Sequence, residues 1–249
     1  MNSKKRLFIL LGGLVLTAVI FLISLIRTDR IAPVGKSVFQ CGDKISYQGN
    51  NYKTVQIGEK CWMKENLKTT KYMDGTPISN FITDKEWATD KKGAYVCYQN
   101  TKENCDTYGA LYNWYAVSNS FGLCPLGWSV PTHNQWTDLE RGVCDSLGYK
   151  NCETVFVYDD SMGWRGKDEG NHLKSKISKG LDTYGFSALL GGFRNPNGPF
   201  LYLGEKGFWW TFTPSEEFAY GRIMDTVNQG VRQVEAVKSS GFSVRCIKD

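Results

Sequence analysis

The chain has 249 residues and a formal charge of +5, but residues 1–30 carry five basic side chains and one acidic one, leaving 25 basic and 24 acidic over the other 219. No basic field is left to grip nucleic acid, and the excess charge belongs to membrane topology instead. Aromatic residues at 14% and 26 glycines point to short strands and tight turns, in a chain long enough to bury a sizeable core.

The first predicted element is Leu7–Ile26, twenty residues whose only non-apolar members are Gly12, Gly13, Thr17 and Ser24. As a helix it spans about 30 Å, the hydrocarbon thickness of a bilayer. A cleaved signal peptide is the competing reading, but its apolar run covers only about 7–15 residues and ends in small ones. Here Arg27-Thr28-Asp29-Arg30 follows directly, with no A-x-A-like site. The sequence thus divides into a cytoplasmic segment at 1–6, an uncleaved signal anchor at 7–26, a stalk at 27–38 and an extracytoplasmic domain at 39–249. Lys4, Lys5 and Arg6 before the segment outweigh Arg27 and Arg30 after it only narrowly. The cysteines break the near-tie. Cys41, Cys61, Cys97, Cys105, Cys124, Cys144, Cys152 and Cys246 all follow the anchor, with no CxxC among them. An even, dispersed set of this kind is a disulfide framework in an oxidising compartment.

Asn51–Ile57 and Lys60–Lys64 read as a hairpin about Gly58-Glu59, with glycine at the first central place of a II′ turn. Gly93–Gln99 reads as a strand. Tyr108, Leu111, Tyr112 and Tyr115 recur at i, i+3, i+4 and i+7, a helical stripe. Thr132-His133-Asn134-Gln135 is a capping box, and Trp136, Leu139 and Val143 continue it as one apolar face, so a helix is predicted over Thr132–Val143. After Leu181 the pattern turns to short strands: Ala188–Phe193, Phe200–Leu203, Gly207–Phe212, Phe218–Met224, Gly230–Ala236 and Gly241–Ile247. Asn197-Gly198 is the turn signal between the first two. The fold class is α+β, few helices early and short antiparallel strands late, preceded by one transmembrane helix.

Six ordered blocks carry a family resemblance. They are Val55-Gln56-Ile57-Gly58 with Trp62–Leu67, Tyr108–Val117, Cys124–Thr132 with Trp136 and Leu139, Gly185–Arg194, Trp209-Trp210-Thr211, and Gly241–Cys246. In order and type they resemble the Fibrobacter succinogenes major paralogous domain of bacterial surface and secreted proteins. That family is itself similar to the C-type lectin-like fold, in the branch shared with formylglycine-generating enzymes. The resemblance implies a C-type lectin-like domain and supplies no catalytic residues.

Cys97/Cys105 and Cys144/Cys152 are each eight residues apart, suited to clipping a loop, and Cys41/Cys61 would fasten the N-terminal segment to the first hairpin. Cys124 with Cys246 would then join the helix start to the last strand, much as lectin-like folds tie their ends. Eight cysteines allow on the order of a hundred pairings, so this set is a hypothesis. No metal site is expected, since the cysteine spacing is wrong for zinc and His133 and His172 are the only histidines. No cofactor is expected either.

Trp62, Trp114, Trp128 and Trp136 are expected in the core, because they sit in apolar blocks beside glycine. Trp209 and Trp210 must point to opposite faces of a strand, so one of them could face a ligand groove. Trp87 and Trp164 sit in polar loops, and Trp164 is the better surface candidate. Asn195-Pro196-Asn197 is similar to the calcium and sugar tripeptide of C-type lectins, but it lacks the carboxylate that calcium wants, and a plain turn is the better reading. Asp159-Asp160 and Glu216-Glu217 are adjacent carboxylates that project to opposite faces, which is no glycosidase arrangement. Copper-thiolate oxidase chemistry would need reduced cysteines, and all eight pair plausibly.

The expected function is a non-catalytic, single-pass binding or adhesion module held in the lipid bilayer by residues 7–26 and facing a glycan or another surface ligand. A structural or protein-binding scaffold is the alternative, with an oxidase related to formylglycine-generating enzymes behind it. Candidate ligand residues are Trp164, Arg194, Trp210, Glu216, Arg222 and Asp225.

Overall fold

Two glycines with positive φ shape the first half of the domain. Gly58, at φ +57°, turns strand β3 (Thr54–Ile57) into β4 (Lys60–Met63), with Ile57 opposite Lys60 as the hairpin reading expects. The predicted first strand is interrupted at Lys53, and its earlier part, β2 (Asn50–Tyr52), pairs instead with β1 (Ile45–Tyr47). Gly109 is the second. It ends helix α2 (Lys102–Tyr108) at φ +85°, where an added Cβ would lie 2.6 Å from the Asn66 side chain. The tyrosine stripe therefore does not form one helix. Leu111–Tyr112 becomes strand β7, and helix α3 (Trp114–Val117) restarts with Asn113 capping the Ala116 N–H.

The computed structural model describes residues 38–249, so the Leu7–Ile26 anchor and nearly all of the stalk lie outside the described residues. Among the described residues no helix is long and apolar enough to cross a membrane. Gln40–Asp249 forms one compact unit of mixed α+β structure. Between the hairpin and α2 lie β5 (Ser79–Asn80), helix α1 (Asp84–Thr89) and β6 (Ala94–Val96). The strand predicted over Gly93–Gln99 ends early because Gln99 takes φ +53° in a single 3₁₀ turn.

After β8 (Trp128–Ser129) comes the longest described helix, α4 (His133–Ser146), with the predicted capping box formed in both directions. Short helices α5 (Cys152–Val155) and α6 (Glu169–Leu173) flank β9 (Gly163–Arg165). The late strands follow as β10 (Gly191–Arg194), β11 (Phe200–Leu203), β12 (Lys206–Ser215), β13 (Phe218–Asp225) and β14 (Val231–Val237). The last predicted strand splits into β15 (Phe242–Ser243) and β16 (Ile247–Lys248), because the two halves join different sheets. The larger sheet runs β5-β6-β7-β15-β12-β13-β14-β9, with β10 and β11 branching from β12, and the smaller runs β3-β4-β16-β8.

Helix α4 packs between these sheets. Trp136, Leu139 and Val143 meet Trp62, Phe186, Trp209 and Ile247 in the main core, with ring centroids of Trp62 and Trp136 5.3 Å apart. Burying such a stripe contributes far more to the helix than its intrinsic propensity. Trp114 and Trp128 are buried as well, as expected from their blocks. The cysteines pair as Cys41–Cys61, Cys97–Cys105, Cys124–Cys246 and Cys144–Cys152, the set proposed above. Cys124–Cys246 links the turn before β8 to the residue before β16, holding the final strand against the smaller sheet.

Candidate functional site

The six expected ligand residues do not share a surface. Trp210 is fully buried: its ring stacks on Phe242 with centroids 4.2 Å apart, and its Nε1–H donates to the Tyr112 carbonyl at 2.7 Å. Alternation along β12 would free one face only if the sheet had a solvent side there, and Trp209 is buried too. Arg194 is likewise buried, with its guanidinium over the Trp87 and Phe200 rings. It donates to the Gly198 and Phe81 carbonyls at 2.9 and 2.6 Å and to Asp84 Oδ1 at 3.1 Å. Arg194 thus ties β10 to the start of α1, and Trp87, expected in a polar loop, lies buried beneath it.

Asp225 is buried at the end of β13, where Oδ1 accepts the Val227 and Asn228 N–H groups and closes the following turn. Glu216 stands exposed at the β12–β13 hairpin tip with φ +41°. Trp164 lies on the edge strand β9, opposite Arg232, and is 37% exposed. Asn195-Pro196-Asn197 forms the β10–β11 turn, with Asn195 Oδ1 accepting the Asn197 N–H at 3.0 Å. Among the described residues no group of three or more His, Cys, Asp or Glu is placed to hold a metal ion.

Arg222 belongs to a sealed ionic cluster that sequence reading missed. His133, Thr137 and Glu140 recur at i, i+4 and i+7 on α4, and all three are buried on a face beside the apolar stripe. Glu140 Oε1 accepts Arg222 Nε–H at 2.6 Å, and Oε2 accepts Arg165 Nη2–H at 2.5 Å. Both arginines also donate to Thr137 Oγ1 at 3.1 Å. Arg222 donates to His133 Nδ1 at 3.2 Å, so the ring proton sits on Nε2 and is donated to the Asp159 carbonyl at 3.0 Å. Burial, reinforced by the Arg222 charge, pushes the His133 pKa down to about 4. Glu140 has no solvent-exposed surface to offer a substrate, so these groups fasten α4 to β9 and β13.

An open groove of about 370 Å³ lies at the N-terminal end of the same helix. Its walls are the turn after α3 (Ser118, Asn119, Ser120), the β8 side chain Trp128, the α4 cap residues Thr132 and Gln135, and Phe212. Phe212 reaches it because β12 slips register against β13 between Trp210 and Pro214. Such a bulge re-aims a side chain, and Phe212 is 47% exposed while Trp209, Trp210 and Thr211 beside it are all buried. The Phe212 N–H donates to the Pro131 carbonyl at 2.9 Å, fixing β12 against the α4 start. Cys124, bridged to the buried Cys246, lines the same groove. Gln135 uses its Oε1 on the Thr132 N–H, which leaves the amide nitrogen's donors for a guest. The arrangement is an apolar wall with a hydroxyl and carboxamide rim, the usual make-up of a small-molecule site. No sequence signal marks Phe212, since a bulge depends on the partner strand.

The family model described as the Fibrobacter succinogenes major domain matches residues 55–248, and the chain belongs to that family. No curated protein matches the chain. No solved structure matches it either.

Proposed function

We propose that this member of the Fibrobacter succinogenes major domain family is a non-catalytic surface module of C-type lectin-like fold that binds saccharide in the Trp128–Phe212 groove. The observation that carries the reading is the groove's chemistry, an aromatic wall facing a rim of Ser118, Asn119, Ser120 and Gln135. Sugar rings offer apolar C–H faces to aromatics and hydroxyl edges to carboxamides, and this groove has a partner for each. On this reading the domain faces the outside of the membrane, anchored by the apolar segment Leu7–Ile26. Four disulfides suit that oxidising compartment. An oxidase of the formylglycine-generating kind would need a reactive thiolate, and every cysteine is paired.

A protein-binding scaffold is the second reading. It is favoured by the exposed apolar residues Val157, Tyr158 and Met162 in the connection before β9 and Trp164 on β9 itself. A glycan array probed with the purified full-length chain, and again with Phe212→Ala, separates the two. Saccharide hits lost in Phe212→Ala support the groove. An array without hits, or hits indifferent to Phe212→Ala, overturns it.

A further inference from the structure

On another part of the domain, side chains from separated segments converge on a groove of about 330 Å³ that includes Lys53, Lys64, Lys68 and Lys176. From residue 39 onward the chain holds 24 basic and 24 acidic side chains, so four lysines at one groove are a local excess in a neutral domain. Lys53 and Lys64 are neighbours across the open end of the β3–β4 hairpin, where the Lys64 N–H donates to the Lys53 carbonyl at 2.9 Å. Like charges placed across a ladder repel and destabilise it. The Lys64 ammonium is held near the Gly185 turn, 3.1 Å from where a Cβ at that glycine would sit.

The groove's own carboxylates are already occupied. Glu65 Oε2 accepts the Lys53 N–H at 2.8 Å, and Asp182 accepts the Ser187 N–H and hydroxyl at 2.7 and 2.8 Å. Behind the wall lies a fifth cation. Arg245 is completely buried, and its Nη2–H donates to Asn66 Oδ1 at 2.8 Å, while Asn66 itself lines the groove. Arg245 donates also to the Phe186 carbonyl and rests over the Phe186 ring, but forms no ion pair within 4 Å. Glu65 and Asp182 act on Arg245 only at longer range. Two carboxylates thus stand against five cations, one of them in a low-dielectric interior where its field is weakly screened.

We propose that this groove is a second binding site, separate from the Trp128–Phe212 groove, for an oxyanion-bearing ligand whose carboxylate, sulfate or phosphate groups lie between Lys53, Lys64 and Lys176. A bound oxyanion relieves the Lys53–Lys64 repulsion and receives charge-assisted hydrogen bonds from ammonium groups on three segments. The groove has no aromatic lining, so nucleobases find nothing to stack on.

The test measures binding of an oligogalacturonate and of inorganic phosphate to the full-length chain at low and at physiological ionic strength. Wild type is expected to bind at low salt and to weaken as the screening length falls from about 30 Å to about 8 Å. Lys64→Gln with Lys176→Gln is expected to lower affinity by about tenfold without lowering the thermal midpoint, which is unchanged or raised as the Lys53–Lys64 repulsion is removed. Lys64→Arg with Lys176→Arg retains binding. Competition by phosphate identifies a site for any oxyanion, and its absence one for polymer-borne carboxylates. No binding of either probe at low salt overturns the proposal. So does an equal loss in the remote pair Lys91→Gln and Lys92→Gln, or tighter binding of single-stranded DNA than of the saccharide.

Discussion

Glu140 Oε1 lies 2.6 Å from Arg222 Nε, and neither side chain has any solvent exposure. The same carboxylate takes Arg165 at 2.5 Å, so one anion holds two guanidiniums between a helix and two strands. Removing one partner of a buried ion pair strands the other charge in a medium that cannot solvate it. Glu140→Gln, which keeps the shape, is expected to destabilise the fold by about 3–5 kcal/mol. Urea unfolding reads this as a lower midpoint at an unchanged slope. A loss under about 1 kcal/mol would show that the carboxylate charge is not what holds the cluster.

His133 makes the same cluster sensitive to acid. Its pKa falls to about 4 in the folded chain, against about 6.5 when unfolded, because it is buried and its Nδ1 already accepts an Arg222 proton. Between those values the unfolded chain binds the proton and the folded chain does not, so stability rises with pH across that window. This contribution is complete above about pH 6.5 and is lost as pH falls toward 4, by on the order of 3 kcal/mol. The chain has two histidines, so an NMR titration resolves His133 once His172 is replaced. A midpoint near 6.5 for His133 would contradict the sealed cluster.

The disulfides should differ in proportion to the loops they close. Cys124–Cys246 spans 122 residues and Cys97–Cys105 spans eight. By chain entropy, paired Cys→Ser replacement costs about 5 kcal/mol for the first and about 2.5 kcal/mol for the second. Guanidinium unfolding of the two double variants checks the order. Equal losses would mean that local packing, and not loop closure, sets the contribution.

How much of this could be read from the sequence depended on whether a signal was local. The Thr132–Gln135 capping box and the Asn197-Gly198 turn involve neighbours only, and both are present. Tyr108, Leu111, Tyr112 and Tyr115 have helical spacing, but Gly109 lies against Asn66, a contact from another segment that breaks the helix. Arg194 and Arg222 read as surface residues in the sequence because charge is legible there and burial is not. Their carbonyl, ring and carboxylate partners come from residues up to 113 positions away. His133, Thr137 and Glu140 did leave a trace, a polar stripe with helical spacing beside the apolar one. Phe212 left none, since only the register against β13 turns it outward.

That register makes Phe212 the residue whose loss separates binding from folding. It is 47% exposed and lies outside the main core cluster, whereas Trp209 and Trp210 on the same strand are fully buried. Phe212→Ala is therefore expected to change stability by no more than about 0.5 kcal/mol, the range of ordinary surface substitutions. Its effect on saccharide binding is expected to be a loss of up to about tenfold, since an aromatic face contributes on the order of 0.5–1.5 kcal/mol to a stacked contact. Trp210→Phe supplies the contrast. It removes a buried Nε1 donor from the Tyr112 carbonyl and should lower stability by about 1–3 kcal/mol while leaving the groove's affinity unchanged. Calorimetric titration of both variants with a saccharide identified on the array, beside their thermal midpoints, gives the two readouts independently. A Phe212→Ala chain that binds like wild type would move the site away from this groove.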